Sequence, residues 1–250
     1  MYVLPQCAAA GDLSPRILHY KQAQARRMKL KYGLEYEVKG GNHQYNKCMA
    51  ERYDIAQRIL EGLKDIYSWA KKDIQTDCPV RHIHKVMTLD KRLVTEEEKS
   101  WCEEKIRELA DQIPDPSQAD PEEYRKKKSR YDSVKNRNNR VIEKYHTQNE
   151  EPTIDMDAHV VQIGEIAFAT NRFELYHDFM HRIQARSPFL QTFVVQLAGA
   201  TGGSYLSTAR GVANKGYGSC IFDNVVGPEG GQQLVEQTLE LLNELQNLGH

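Results

Sequence analysis

Several small groups of residues have the types and spacings that chemistry needs. His82-Ile83-His84 is the one His-x-His pair in the chain. On a strand, positions i and i+2 face the same side, so two imidazoles could share a metal ion. The pair sits beside basic Arg81 and Lys85, and the favoured reading is a solvated strand face. His177 and His181 stand four apart, the spacing of neighbours on one helical face. Ser14 follows Gly11-Asp12-Leu13 and precedes Pro15. It reads either as a cap at a turn or helix start, or as a side chain at the C-terminal edge of a strand, where α/β sites often sit. Glu174 taken alone is a glutamate in the first turn of a helix, favoured there by the dipole. Tyr205 and Tyr217 lie twelve residues apart among glycines. Alone they are ordinary amphipathic packers, although glycine lets backbone approach a metal or ligand closely. Gly227-Pro-Glu-Gly-Gly231 lacks the lysine and serine of a phosphate loop and reads as a turn feeding the last helix. Arg125 to Lys128 is a solvated helical face.

Hydrophobic periodicity predicts the elements that must position these groups. Tyr2 to Cys7 reads as a strand running into the turn Ala8-Ala9-Ala10-Gly11-Asp12. Residues 16–32 are basic and compatible with a helix, and Gly40-Gly41 breaks the chain. From about Tyr45 to Ile74, apolar residues recur at three- and four-residue steps, which predicts an amphipathic helix. Arg81 to Leu89 alternates as a strand. Thr95 with Glu98 three positions on is a capping-box pattern, and the helix it opens ends at Ile113-Pro-Asp-Pro. A second charged helix is expected over Pro121–His146. A hairpin about Gly164, a helix over Phe173–Ala185, a buried strand over Leu190–Ala198 and a terminal helix after Gly230-Gly231 complete the order. Helices and strands mix without a regular βαβ beat. The expected class is therefore α+β or mixed α/β, a mixed sheet with flanking helices and a charged helical pair over residues 95–147.

Composition bounds the remainder. At 250 residues, 40% hydrophobic and 28% charged, the chain can bury a substantial core. It reads as one domain, 1–250, with the 95–147 pair as an excursion. A net charge of −1 gives no field favouring nucleic acid. No apolar run approaches the roughly 18 residues of a membrane span. Five widely spaced cysteines without a CxxC pair argue for reduced thiols rather than a disulfide framework. With no leader visible at the N-terminus, this favours the cytoplasm. Oligomeric state is not legible.

Four segments, read in order, resemble one family, the neutral/alkaline ceramidases. Gln6-Cys-Ala-Ala-Ala-Gly-Asp-Leu-Ser-Pro-Arg16 is similar to the family's Gly-Asp-x-Ser-Pro motif. Asn171-Arg-Phe-Glu-Leu175 sits at its Pro-Gly-Glu-type turn. Ala185-Arg-Ser-Pro-Phe189 leads into the strand that precedes Gly203-Ser-Tyr-Leu-Ser-Thr208, which looks like its Tyr-x-x-Thr turn. Tyr217 falls where the family has a second tyrosine. The likeness covers residues 1–16 and about 160–247, the C-terminal half of a ceramidase-like catalytic domain of a divergent bacterial type. It implies a zinc-dependent amide hydrolase acting on an N-acyl sphingoid or other lipid-like linear amide. Glu174 and Tyr205 would be zinc ligands, Ser14 the family's essential serine, and Tyr217 the hydroxyl facing the scissile carbonyl. Zinc brings the pKa of bound water to about 7, and one good oxyanion donor contributes roughly 3–4 kcal/mol to such a reaction.

The departures are specific. Arg172-Phe173 stands where the family has Pro-Gly, and Gly218 where animal-type members have an acidic residue. The family draws histidine ligands, a His-x-His pair among them, from sequence before the serine motif, and no histidine precedes Gly11 here. The resemblance thus implies a zinc site incomplete in this chain, with weak zinc binding and no amide turnover. The alternative is a non-catalytic remnant or interaction module of the same fold. Two geometric expectations follow: Ser14, Glu174, Tyr205 and Tyr217 converge, and the 95–147 helices lie far from them.

Overall fold

A computed structural model describes residues 21–35, 43–199 and 204–248. In chain order its elements are α1 (Lys21–Tyr32), α2 (His43–Ala70), β1 (Val80–Asp90), α3 (Glu96–Ala110), α4 (Pro121–Thr147), β2 (Thr153–Ile163), β3 (Ile166–Thr170), β4 (Glu174–Leu175), α5 (His177–Arg186), β5 (Gln191–Val195), β6 (Tyr205–Leu206), α6 (Ala209–Ala213) and α7 (Pro228–Asn247). This is the α+β class expected from sequence. Contacts divide the elements into two units, α1 with α2 in one and β1 through α7 in the other. The expected strand at Tyr2–Cys7 lies outside the described residues.

In the smaller unit α1 meets α2 through a buried carboxylate. Asp54 accepts hydrogen bonds from the Arg27 guanidinium at 2.9 and 3.1 Å and from the Tyr32 hydroxyl at 2.8 Å. Burial opposes its charge, but the Tyr32 and Arg27 hydrogen bonds more than offset that, so its pKa lies below the ordinary carboxylate value. Met28 is fully buried beside this pair.

The larger unit is built on a four-stranded sheet in the order β1-β2-β3-β5. β1, β2 and β3 pair antiparallel, while β3 and β5 pair parallel. Parallel neighbours need a crossover, and β4 with α5 provides it. Alternation sorts the strands into two faces. Met87, Leu89, Met156, Ala158, Val160, Ala167, Ala169 and Val194 point into a core with α5 and α7. Helix α7 brings Leu234, Val235, Leu239, Leu241, Leu242 and Leu245, all buried. Each such leucine withdrawn from water contributes about 1.5–3 kcal/mol, so the terminal helix is the main anchor of the sheet. The opposite face carries His82, His84, Asp157 and His159, with Phe168 stacked on Phe193 at 5.1 Å.

Three boundaries depart from the sequence reading. α5 begins at His177, so Glu174 lies in strand β4 and not in a first helical turn. β5 is a sheet edge paired only with β3, and Leu190 and Leu197 beside it are exposed rather than buried. α7 starts at Pro228 with Gly227 as N-cap, so Gly230 and Gly231 lie within its first turns. A side chain at Gly231 would collide with Phe179 of α5, so glycine here serves close helix packing and not a turn. The capping box is formed as expected: Glu98 N–H donates to Thr95, and Thr95 N–H donates to the Glu98 carboxylate.

The charged helices are less remote than their composition suggests. α3 and α4 pack on each other, and Val94, Cys102 and Val141 join Ile221 in a second small core. Burial pushes the Cys102 thiol up to about 11. Their few apolar positions thus suffice to seat α3 against residues 219–222, close to the Tyr217 loop.

Candidate functional site

Three of the four residues singled out by sequence meet at one corner of the larger unit. β4 and β6 are two-residue strands paired in parallel, with Glu174 opposite Tyr205 and Leu175 opposite Leu206. Period-two geometry then separates their side chains. Leu175 and Leu206 are fully buried in the core, while Glu174 and Tyr205 share the other side, half-buried. Backbone bonds from Glu174 N–H to the Ser204 carbonyl and from Tyr176 N–H to the Leu206 carbonyl, both 3.1 Å, fix this register.

Tyr217 arrives from the loop after α6. Its ring meets Tyr205 edge-on, with centroids 5.5 Å apart and planes at 79°. Gly218 is what brings the two together. Its φ of +70° belongs to the left-handed region, and a Cβ there would lie 2.6 Å from Tyr205 Cδ1. Any side chain would therefore drive the loop off the ring. Glycine at this position serves packing against Tyr205.

Two further residues hold the corner, and sequence reasoning missed both. The Tyr176 hydroxyl donates to the Tyr217 carbonyl at 2.5 Å. Asn224 is buried and fully engaged. Its amide donates to the Tyr205 carbonyl at 2.9 Å and to the Gly218 carbonyl at 2.7 Å. Its oxygen accepts from Ser207 at 3.0 Å and from Arg92 at 3.2 Å. One side chain thus ties β6, the tyrosine loop and the segment between β1 and α3 together. No sequence signal marks Asn224 between Asp223 and Val225.

The electrostatics of the corner keep one proton in place. Hydrogen bonding with Tyr217 first, and with the Glu174 carboxylate second, raises the pKa of Tyr205 far above that of an ordinary phenol. The Tyr217 side chain is 69% exposed, so the network ends at a hydroxyl that a solute can reach. Beside this loop lies a cleft of about 540 Å³ walled by Trp101, Val212, Ile221 and Phe222, with Arg92 and Lys215 on its lining. Tyr217 falls between two residues of that lining, Gly216 and Ser219. The cleft has the volume and apolar character of a small-ligand pocket.

The remaining expectations fall elsewhere. Ser14 lies outside the described residues, so its convergence on the corner is not described. His177 and His181 contact each other edge-on at 4.5 Å on α5. His82 and His84 stand on the exposed sheet face, where His82 Nε2 lies 2.9 Å from His159 Nδ1 and His84 Nε2 lies 2.8 Å from Asp157 Oδ1. Their rings stack on His159 at 5.1 and 4.6 Å, with planes 13° and 22° from parallel. Among the described residues no three His, Cys, Asp or Glu side chains form a metal-holding group. Cys78, Cys102 and Cys220 are free thiols. No described helix is long and apolar enough to cross a membrane. Comparison with family models, with curated proteins and with solved structures returns no match for this chain.

Proposed function

We propose that the Glu174–Tyr205–Tyr217 corner is the carbonyl-recognition half of a ceramidase-like linear-amide hydrolase site, and that its substrate is an N-acyl amine with an apolar tail. The observation that carries this reading is the Tyr205 phenol held between Tyr217 and Glu174. In that arrangement Tyr205 donates its one proton to the Tyr217 oxygen, the Glu174 charge favours the neutral Tyr205 phenol, and the exposed Tyr217 hydroxyl is left to donate to the carbonyl oxygen of the amide. A preorganised donor of this kind favours the charge that develops on that oxygen when the amide is attacked. The apolar cleft beside the loop gives a lipid-like tail a place to leave water.

Zinc, which the resemblance calls for, does not fit the residues present. Catalytic zinc takes three protein ligands and an open position. Here Glu174 offers a carboxylate, and Tyr205 offers a phenol whose surroundings keep its proton on. Phenol oxygen ligates well only after that proton leaves. A hydrolytic metal centre would therefore need donors beyond this corner, and no hydrolytic step is derived from Glu174 and Tyr205 alone.

The test is binding of a short-chain N-acyl amino alcohol, followed by calorimetry against the matching free amine. The expected result is saturable binding of the amide, weakened about tenfold by Tyr217→Phe, with weak binding of the amine. Equal binding of amide and amine, or an amide affinity untouched by Tyr217→Phe, would sink the reading.

A further inference from the structure

From Tyr53 onward, helix α2 turns most of its apolar residues to solvent and a carboxylate to its neighbour, with Tyr53 also meeting Tyr32 of α1 edge-on at 5.1 Å. Asp54 is 1% exposed against α1, whereas Tyr53, Leu60, Leu63 and Tyr67 are 41, 41, 38 and 50% exposed. Ile59 and Ile66 flank them and are exposed as well. The spacing within this stripe is informative. Tyr53, Ala56, Leu60, Leu63, Tyr67 and Ala70 follow one another at steps of three, four, three, four and three. Those six positions follow a 3.5-residue repeat, the spacing of a coiled-coil seam, and Ile59 and Ile66 widen the apolar face on one flank.

The order of large and small residues along the seam selects the partner and its direction. In an antiparallel pair of α2 helices with the two-fold axis between Leu60 and Leu63, Leu60 faces Leu63 of the second copy. Tyr67 then faces Ala56, and Tyr53 faces Ala70. Every bulky ring meets the smallest side chain of the seam. A parallel pair would stack tyrosine on tyrosine and alanine on alanine, leaving layers alternately too wide and too narrow. The flanks agree with the antiparallel arrangement. Ile59 faces Ile66 of the other copy. In the parallel arrangement Ile59 would instead flank Lys64. The stripe offers on the order of 600 Å² per copy, which brings a pair to about 1,200 Å², the lower bound of a stable protein interface.

We propose that the chain associates as an antiparallel homodimer through α2, an isologous contact in which the same stripe serves both copies. This inference is independent of the amide-recognition site. Sedimentation equilibrium of the full chain at micromolar concentration tests it. A dimer is expected, with Leu60→Asp/Leu63→Asp raising its dissociation constant by about 100-fold or more. Ala56→Glu, at a position exposed in the single chain, should weaken it by about tenfold without disturbing the fold. Far-ultraviolet dichroism matching the wild type establishes that each variant is folded. Spin labels at Ser68 read the direction: they lie about 20 Å apart along the axis of an antiparallel pair and level with each other in a parallel one. A monomeric wild type, a dimer indifferent to both variants, or a level label pair each overturns the proposal. So does a wild-type monomer that pellets with phosphatidylcholine vesicles, which would assign the stripe to a lipid surface.

Discussion

Tyr205 and His159 each stand at the centre of a cluster of titratable side chains, and different parts of the fold hold the two clusters. Around His159 the partners come from the neighbouring antiparallel strands β1 and β2 and lie on an exposed face. Around Tyr205 they come from β4, β6 and the loop after α6, fixed by Asn224, Tyr176 and Gly218. Exposed polar contacts between neighbouring strands add little to stability and can open at little cost. A corner assembled from distant segments by a buried, satisfied amide is held in one arrangement. The histidine pattern is the more conspicuous in sequence, yet the tyrosine corner has the construction of a site.

The contrast is sharpest in stability. Asn224→Ala should cost about 3 kcal/mol in urea unfolding, because it strands buried carbonyls of Tyr205 and Gly218. Gly218→Ala should cost about 2–3 kcal/mol through its left-handed φ and its collision with Tyr205. His82→Ala should stay within about 0.5 kcal/mol of wild type, as surface substitutions do. A histidine substitution that cost as much as Asn224→Ala would erase the distinction.

Next comes the Tyr205 proton. Its folded pKa is raised above that of the unfolded chain, so the neutral phenol stabilises the fold at all pH values below about 10, the unfolded phenol value. Stability should fall as pH rises through and above that value. In phenolate absorbance Tyr205 should titrate last among the tyrosines. Tyr217→Phe should lower its midpoint most and Glu174→Gln less, following the order of their contributions. A tyrosine spectrum that titrates in one step near pH 10 in the wild type would remove the corner's electrostatic claim.

His159 gives a smaller effect of the opposite kind. Burial first, then the neighbouring His84 and His82, lowers its pKa below the ordinary histidine value. Below about pH 6.5 the unfolded chain takes up this proton before the folded one, so stability is lost as pH falls from there through the folded pKa. His159→Gln should flatten that part of the acid unfolding curve. The smallest effect is in zinc calorimetry at neutral pH, where the wild type should show only weak uptake, unchanged by His82→Ala. A submicromolar site abolished by Glu174→Ala or His84→Ala would reveal a ligand set at one of the two clusters and reverse the comparison.

Much of the fold was legible because its elements declare themselves locally. Thr95 with Glu98, the Gly164 hairpin and the leucine repeat of α7 each carry their own signal. Glu174, Tyr205 and Tyr217 were legible only as separated residues that a likeness to one family set side by side. The pairing of Glu174 with Tyr205 follows from a parallel contact between two-residue strands, too short for any periodicity to show. Asn224, Tyr176 and His159 escaped for a related reason. Their roles depend on which distant backbone or ring the topology brings near, and residue type alone does not carry that. Gly218 was visible, but its purpose was not, because the ring it accommodates lies thirteen positions earlier in the chain.

The donation from Tyr217 to an amide carbonyl is most directly tested by isotope-edited infrared spectroscopy. A short-chain N-acyl amino alcohol labelled at the carbonyl carbon is bound to wild type, Tyr217→Phe and Glu174→Gln. The account predicts a carbonyl stretch shifted to lower frequency in the wild type, most of the shift lost in Tyr217→Phe and part of it in Glu174→Gln. A bound carbonyl whose frequency matches that in an apolar solvent, or one that Tyr217→Phe leaves unmoved, would contradict it.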